Sequence, residues 1–227
     1  MSPVVKPPPN VIVPRHVFIA GVTGYVGTRL AETLIQRGHT VAGLVRTGSE
    51  KRVPPGCQPI FGNALDSNSF SDKVAGYDTF VQLVGVAHPS PAKAQQFRDI
   101  DLKSCQESVR AAVSNGIQHF VYVSVAHPAP AMKAYIAVRT LCENLITASG
   151  LNATILRPWY VLGPGHYWPY LLKPGYWLAR KIPAWRAGAE RLGLVTLRQM
   201  IGALQSAVES PASGVQIVEV PEIAGRN

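Results

Sequence analysis

The stretch "VFIAGVTGYVGTRLAETL", residues 17–34, decides how the rest of the chain is read. Four apolar residues run into Gly21, Gly24 and Gly27, spaced by three, and a helical pattern follows at once. Val26, Leu30, Leu34 and Ile35 recur every three to four positions, and Gly38 offers a stop. The amino end of a helix presents unpaired N–H groups and a partial positive charge, so it seats phosphate. In such a turn Gly21 permits the sharp reversal, Gly24 lets a pyrophosphate approach the backbone, and Gly27 allows close helix–strand packing. A lone glycine triplet is a weak signal. Its place after the first strand and at the opening of the first helix is what gives it meaning. Gly21, Thr23, Gly24, Tyr25, Val26 and Gly27 are therefore candidates for holding a dinucleotide.

Outward from this point, apolar and β-branched runs recur at 41–45, 58–61, 79–84, 119–124, 153–158 and 215–220. Between them lie helical spacings, in "DLKSCQESVRAAVSNG" (101–116), over 132–148, and over about 195–209. Near-continuous apolar strands alternating with amphipathic helices predict an α/β fold, a doubly wound parallel sheet covered on both faces. A length of 227 residues suits one domain with a small appended lobe. With 47% apolar and 15% charged residues the chain is not of the disordered class. No apolar run reaches the ~18 residues a membrane helix needs.

Residues 1–14 read as an extended, proline-rich leader without a signal peptide's apolar core, and 15–227 as the domain. Cys57, Cys105 and Cys142 are too widely spaced for a disulfide framework or a zinc site, so a reducing, cytoplasmic compartment is expected. The net charge of +9 raises nucleic acid, anionic lipid or a phosphorylated ligand as partners, and the motifs must choose among them.

About twenty residues past the glycines, an acid at the end of the second strand marks preference for an unphosphorylated ribose. This chain has Val45, Arg46 and Thr47 there, with no acid before Glu50. A carboxylate repels a 2′-phosphate and a guanidinium clasps it bidentately, so Arg46 favours NADP(H), with NAD(H) as the alternative. Lys51 and Arg52 add to the local positive field.

By these features the chain resembles the atypical short-chain dehydrogenase/reductase superfamily, whose NAD(P)H-binding members are related to sugar-nucleotide epimerases. The resemblance covers about residues 15–220 and implies a Rossmann fold with a C-terminal substrate lobe. "GNALD" (62–66) falls where that family has its adenine-contacting "GDxxD" turn, which implicates Asn63 and Ala64. "QLVGVAH" (82–88) is similar to the segment lining the cofactor after the fourth strand and implicates Leu83, Val84 and Gly85. "ILRPWYVLGPG" (155–165) resembles the strand and loop that close over the nicotinamide, implicating Pro158, Trp159 and Tyr160. "FVYVS" ends at the family's serine position, Ser124, and "YIAVRTLCE" (135–143) resembles its Tyr-x-x-x-Lys-x-x-x-Glu helix.

Tyr135 and Arg139, four apart, share one face of a helix. A tyrosine that exchanges a substrate proton needs its pKa lowered, which a nearby cation does. The resemblance thus implies Tyr135 as general acid/base, Ser124 as partner of the substrate oxygen and Arg139 as activator. Arginine stands here where the family has lysine; it keeps the charge but cannot release a proton. The implied activity is hydride transfer between NADP(H) and a carbonyl or hydroxyl carbon of a small molecule. A second class stays open: a non-catalytic NAD(P)H-binding sensor, or an assembly or accessory protein.

From about 160 to 195 the rhythm breaks into a segment rich in proline, glycine and aromatics, holding all four tryptophans. Between 166 and 198 it carries six Lys or Arg against Glu190 alone. It reads as a substrate lobe, as its own small core, or as a face for an anionic membrane with Tyr167, Trp168, Tyr170, Tyr176 and Trp177 as the belt. Nucleic acid is disfavoured, because no binding module is present.

Overall fold

In the computed structural model the described residues are 12–129, 131–164, 188 and 191–226. The leader's first eleven residues and the aromatic belt at 167–177 lie outside them. Strand β1 (His16–Ala20) enters the glycine turn, and helix α1 (Tyr25–Gln36) leaves it. Strands β2 (Thr40–Val45), β3 (Gln58–Phe61) and β4 (Thr79–Gln82) follow. A short helix α2 (Ala94–Gln96) runs through a π-helical stretch, Phe97–Leu102, into α3 (Lys103–Ser114). Then come β5 (His119–Val123), α4 (Lys133–Ala148) and β6 (Ala153–Arg157). The last described elements are β7 (Tyr160–Leu162), β8 (Leu194–Thr196), α5 (Leu197–Glu209), β9 (Val215–Glu219) and α6 (Val220–Ala224).

The sheet is parallel throughout, with seven strands in the order β3-β2-β1-β4-β5-β6-β9. Register is set by two-residue alternation. Val17 and Ile19 face one core layer with Leu30 and Leu34 of α1 and Met200 and Leu204 of α5. Phe18 and Ala20 face the other, with Cys105 and Val109 of α3 and Ile146 of α4. Side chains of successive strand residues point to opposite faces, so a strand buried on both sides is apolar at most positions, and its polar exceptions are paired, Gln82 with Ser104 and His119 with Thr154. Phe80 stacks between Phe18 at 5.1 Å and Phe120 at 5.4 Å, joining three central strands on one face. Thr196 opens α5 with a capping box closed by Gln199, which explains why the helix begins there.

Two expectations shift at their edges. The fourth strand ends at Gln82 and the fifth at Val123; the Leu83 and Ser124 amides still bond the Ala20 and Leu156 carbonyls, and the chain then turns over the carboxyl ends of the strands. Inside the expected lobe, β7 and β8 form a small parallel pair of their own. Sequence position matters less here than the strand order. Between β1 and β4 the order reverses direction, and a crevice must open outside the carboxyl ends at that point.

Candidate functional site

The crevice is a cleft of about 360 Å³. Its floor is the glycine turn, Gly21, Thr23 and Gly24. One side is formed by Leu44, Arg46, Arg52, Asn63, Ala64 and Leu65, and the other by Leu83, Val84, Gly85 and Ile100. Among the described residues that line it, none is a carboxylate.

The floor is shaped by close approach. Gly21 has φ of 92°, a conformation side chains rarely adopt, and a Cβ there would lie 3.0 Å from the Leu83 carbonyl carbon. A Cβ on Gly27 would strike the Gly21 carbonyl oxygen, so helix and turn pack only with glycine at that position. Gly24 is the exposed N-cap of α1; no side chain caps the helix, and its first turn holds no acid. The first-turn amides lack helical acceptors, so this end of the cleft offers donors and positive potential. A pyrophosphate fits such a donor set.

On the β2/β3 side, Arg46 and Arg52 are exposed, and Arg52 is steadied by donating to Ser49 Oγ at 2.9 Å. Loop 62–69 is tied to itself. The Asn63 amide donates to Ser69 Oγ at 2.8 Å, Ser69 Oγ to the Asp66 carbonyl at 2.7 Å, and the Leu65 amide to Asn63 Oδ1 at 3.0 Å.

The β4/β5 side is built from buried charge. Asp101, at the end of the π-helical stretch, is 1% exposed and accepts from Arg139 Nη2 at 2.6 Å and from the Val86 amide at 2.9 Å. Arg139 Nη1 donates to Tyr122 Oη at 3.0 Å and to the Val123 carbonyl at 2.9 Å, while its Nε is buried without a partner. A Cβ on Gly85 would come within 2.6 Å of Arg139 Nη2, so the pair lies directly beneath the cleft wall. Burial pushes the Asp101 carboxyl above its usual range, although Arg139 and the Val86 amide pull it down. Arg139 is itself raised, because Tyr122, Tyr135 and Asp101 outweigh the cost of its burial. The guanidinium lies 5.0 Å from the Tyr135 ring centroid, a cation–π contact, and Phe97 packs on the same ring at 4.9 Å. Tyr135 is half-buried and lines a smaller cavity of about 180 Å³ with Phe97, Met132 and Lys133.

Ser124 belongs to a different circuit. It is 3% exposed and donates to Glu143 Oε1 at 2.5 Å. Glu143 also accepts from Arg157 Nε at 3.0 Å and Nη2 at 2.5 Å, and Arg157 reaches Glu219 at 2.9 Å. This network joins α4 to the ends of β5, β6 and β9. Burial works against the Glu143 carboxylate, yet Arg157 and Ser124 hold it below the usual range.

Of the sequence-predicted cofactor residues, Gly21, Thr23, Gly24, Arg46, Asn63, Ala64, Leu83, Val84 and Gly85 meet at the cleft. Tyr25, Val26 and Gly27 lie behind its floor, with Tyr25 and Val26 against the core. Pro158, Trp159 and Tyr160 do not line it; Pro158 takes the Ala126 amide at 2.9 Å and Trp159 packs on the core. Leu44, Arg52, Leu65 and Ile100 were not among the predicted residues. Only Arg52 carried a sequence signal, its charge beside the end of β2.

A model of the NAD(P)H-binding family matches residues 21–165, more than half of the chain. A 3-diazoavenalumate denitrifying reductase from a Streptomyces species is 28% identical over 229 residues, covering 88% of this chain and 74% of that protein. A 3-beta-hydroxysteroid dehydrogenase from Mycolicibacterium neoaurum is 28% identical over 115 residues, 48% of this chain and 31% of its own length. The chain thus spans from about a third to three quarters of these relatives. The Bordetella bronchiseptica enzyme WbmH, solved with NAD+, superposes with a TM-score of 0.67 over 90% of this chain and 75% of that one, at 19% identity, and so shares the fold. Matched by that model through the glycine turn and both walls of its cleft, the chain belongs to the NAD(P)H-binding family.

Proposed function

We propose that the protein is an NADP(H)-preferring oxidoreductase that moves hydride between the nicotinamide and a carbonyl or hydroxyl carbon of a small substrate. The observation that carries this reading is the cleft lining: an uncapped helix start, two exposed arginines and no carboxylate. The uncapped start of α1 suits the pyrophosphate, and Arg46 and Arg52 suit a 2′-phosphate. The bound nicotinamide supplies or accepts hydride. Tyr135 donates or takes the substrate proton, and the Arg139 guanidinium packs against the face of its ring. Ser124 donates its hydroxyl to Glu143 and so ties α4 to the end of β5.

Titration calorimetry tests the cofactor half. NADPH should bind at least ~10-fold tighter than NADH, about the effect of one charge-assisted pair, and Arg46→Glu should reverse the order. Equal affinities in the wild type would sink it. Single-turnover NADPH oxidation over a panel of carbonyl substrates tests the catalytic half, where Tyr135→Phe should lose ~10²-fold or more while keeping cofactor affinity.

A second reading, cofactor binding without turnover, is favoured by one observation. Both terminal nitrogens of Arg139 are consumed by buried partners, leaving only Nε without one. On that reading wild type and Tyr135→Phe give the same trace with every substrate.

A further inference from the structure

Glu107 lies outside the cleft, on α3, and is 2% exposed. Its Oε2 accepts from Ser67 Oγ at 2.5 Å, from the Ser67 amide at 3.1 Å and from Arg110 Nη1 at 3.1 Å. Its Oε1 accepts from Lys103 Nζ at 2.6 Å. Lys103 and Arg110, one turn away on either side, are largely exposed and neutralise the carboxylate from the solvent side. Burial alone would raise the Glu107 carboxyl, but these donors outweigh it and hold it at about 2.

The partner residue gives this group its meaning. Ser67 is 2% exposed and forms the inner end of loop 62–69, whose outer end presents Asn63, Ala64 and Leu65 to the cleft. The loop's internal bonds fix its shape, whereas the bond pair from Ser67 to Glu107 fixes where that shape sits on the helical layer. A pre-formed wall costs a ligand less ordering entropy than one that must be assembled on binding. Three donors converge on one oxygen of Glu107 and a fourth on the other, so both termini must accept, which a carboxylate does and a carboxamide does not. A glutamine there would turn its NH₂ either toward the Lys103 donor or, flipped, toward Arg110 and the Ser67 amide.

We infer that Glu107 is a positioning residue for the cofactor site, setting the adenosine end of the cleft through Ser67. This rests on the reading of the cleft as a dinucleotide site. The inference concerns the adenosine half alone, since the opposite wall hangs on Asp101 and Gln82 instead.

The test uses the full chain and two probes, NADPH and adenosine 2′,5′-bisphosphate, titrated by calorimetry, with thermal melts recorded alongside. Glu107→Gln should weaken both ligands by the same factor, roughly tenfold, as loss of one charge-assisted hydrogen bond gives. Ser67→Ala should weaken both by roughly threefold, and the double variant should bind no more weakly than Glu107→Gln, because the two act through one contact. A merely structural carboxylate would lower the melting temperature and leave the bisphosphate affinity unchanged, which overturns the inference. Additive losses overturn it too. If Glu107→Gln does not fold, Ser67→Ala decides: unchanged bisphosphate binding is then fatal. A wild type that binds neither probe overturns the cofactor reading, and this inference with it. A wild type that binds both, beside variants that bind equally well, overturns this inference alone.

Discussion

The two walls of the cleft use charge in opposite ways. On the β2/β3 side the charges nearest the cleft, Arg46 and Arg52, are exposed and stand without a carboxylate among the lining residues. On the β4/β5 side, Asp101, Arg139 and Glu143 are buried and spend their hydrogen bonds within the protein, Asp101 and Arg139 on each other, Tyr122 and the backbone, and Glu143 on Ser124 and Arg157. An exposed cation stays solvated until a ligand displaces the water, so leaving it unpaired costs little. A buried charge must be paired, because taking it out of water costs several kcal/mol. The first wall is therefore equipped to receive an anion, and the second to hold a shape. Helix α3 and the π-helical turn before it serve both walls: Asp101 holds the Val86 amide, Ser104 takes Gln82, and Glu107 holds Ser67.

The severest way to break this contrast is to unpair the buried side. Asp101→Ala leaves Arg139 as an uncompensated buried cation and frees the Val86 amide, and it should cost about 3–5 kcal/mol in urea denaturation. A midpoint close to wild type would show that the guanidinium finds solvent, and the contrast would fall.

A milder probe is pH. Glu107 is held at about 2 against an ordinary 4.5, so the folded state binds its proton less readily than the unfolded chain. Its contribution is complete above about 4.5 and is lost as pH falls toward about 2, on the order of 2–3 kcal/mol. Denaturation curves between those limits should therefore steepen in wild type and flatten in Glu107→Gln. Parallel slopes would show that the carboxyl is not held low.

On the receiving side the expected signs reverse. Arg46→Ala should lose roughly tenfold in NADPH affinity, near 1.4 kcal/mol, with stability unchanged within about 0.5 kcal/mol. The smallest effect belongs to a charge pair far from the cleft. Arg37, with its side chain 36% exposed, pairs with Glu209 where α1 meets α5. Arg37→Met should cost no more than about 1 kcal/mol, and the loss should shrink in salt.

Much of this architecture is legible in the residue order because its causes are local. Alternation and three-to-four spacing depend on neighbours along the chain, so β1, β3 and the start of α1 are found where the pattern puts them. The glycine turn is legible for the same reason: a positive φ at Gly21 and the crowding at Gly27 are properties of one short segment. Arg46 could be read as a candidate because the end of β2 has a fixed place relative to that turn.

The rest was decided by contacts between residues far apart in sequence. Ser124 donates to Glu143, nineteen positions on. Arg139 is drawn to Asp101, thirty-eight positions back, and lies over the face of Tyr135. Long polar side chains reach several ångströms in many directions, and what selects one direction is the cost of leaving a buried charge unpaired. That cost exists only once the sheet has stacked β5 between β4 and β6 and closed α3 and α4 over them. By itself, then, the sequence determined most of the strands and helices and the glycine turn. Which of its charges face a ligand and which face each other was decided by burial, a property that only the folded chain possesses.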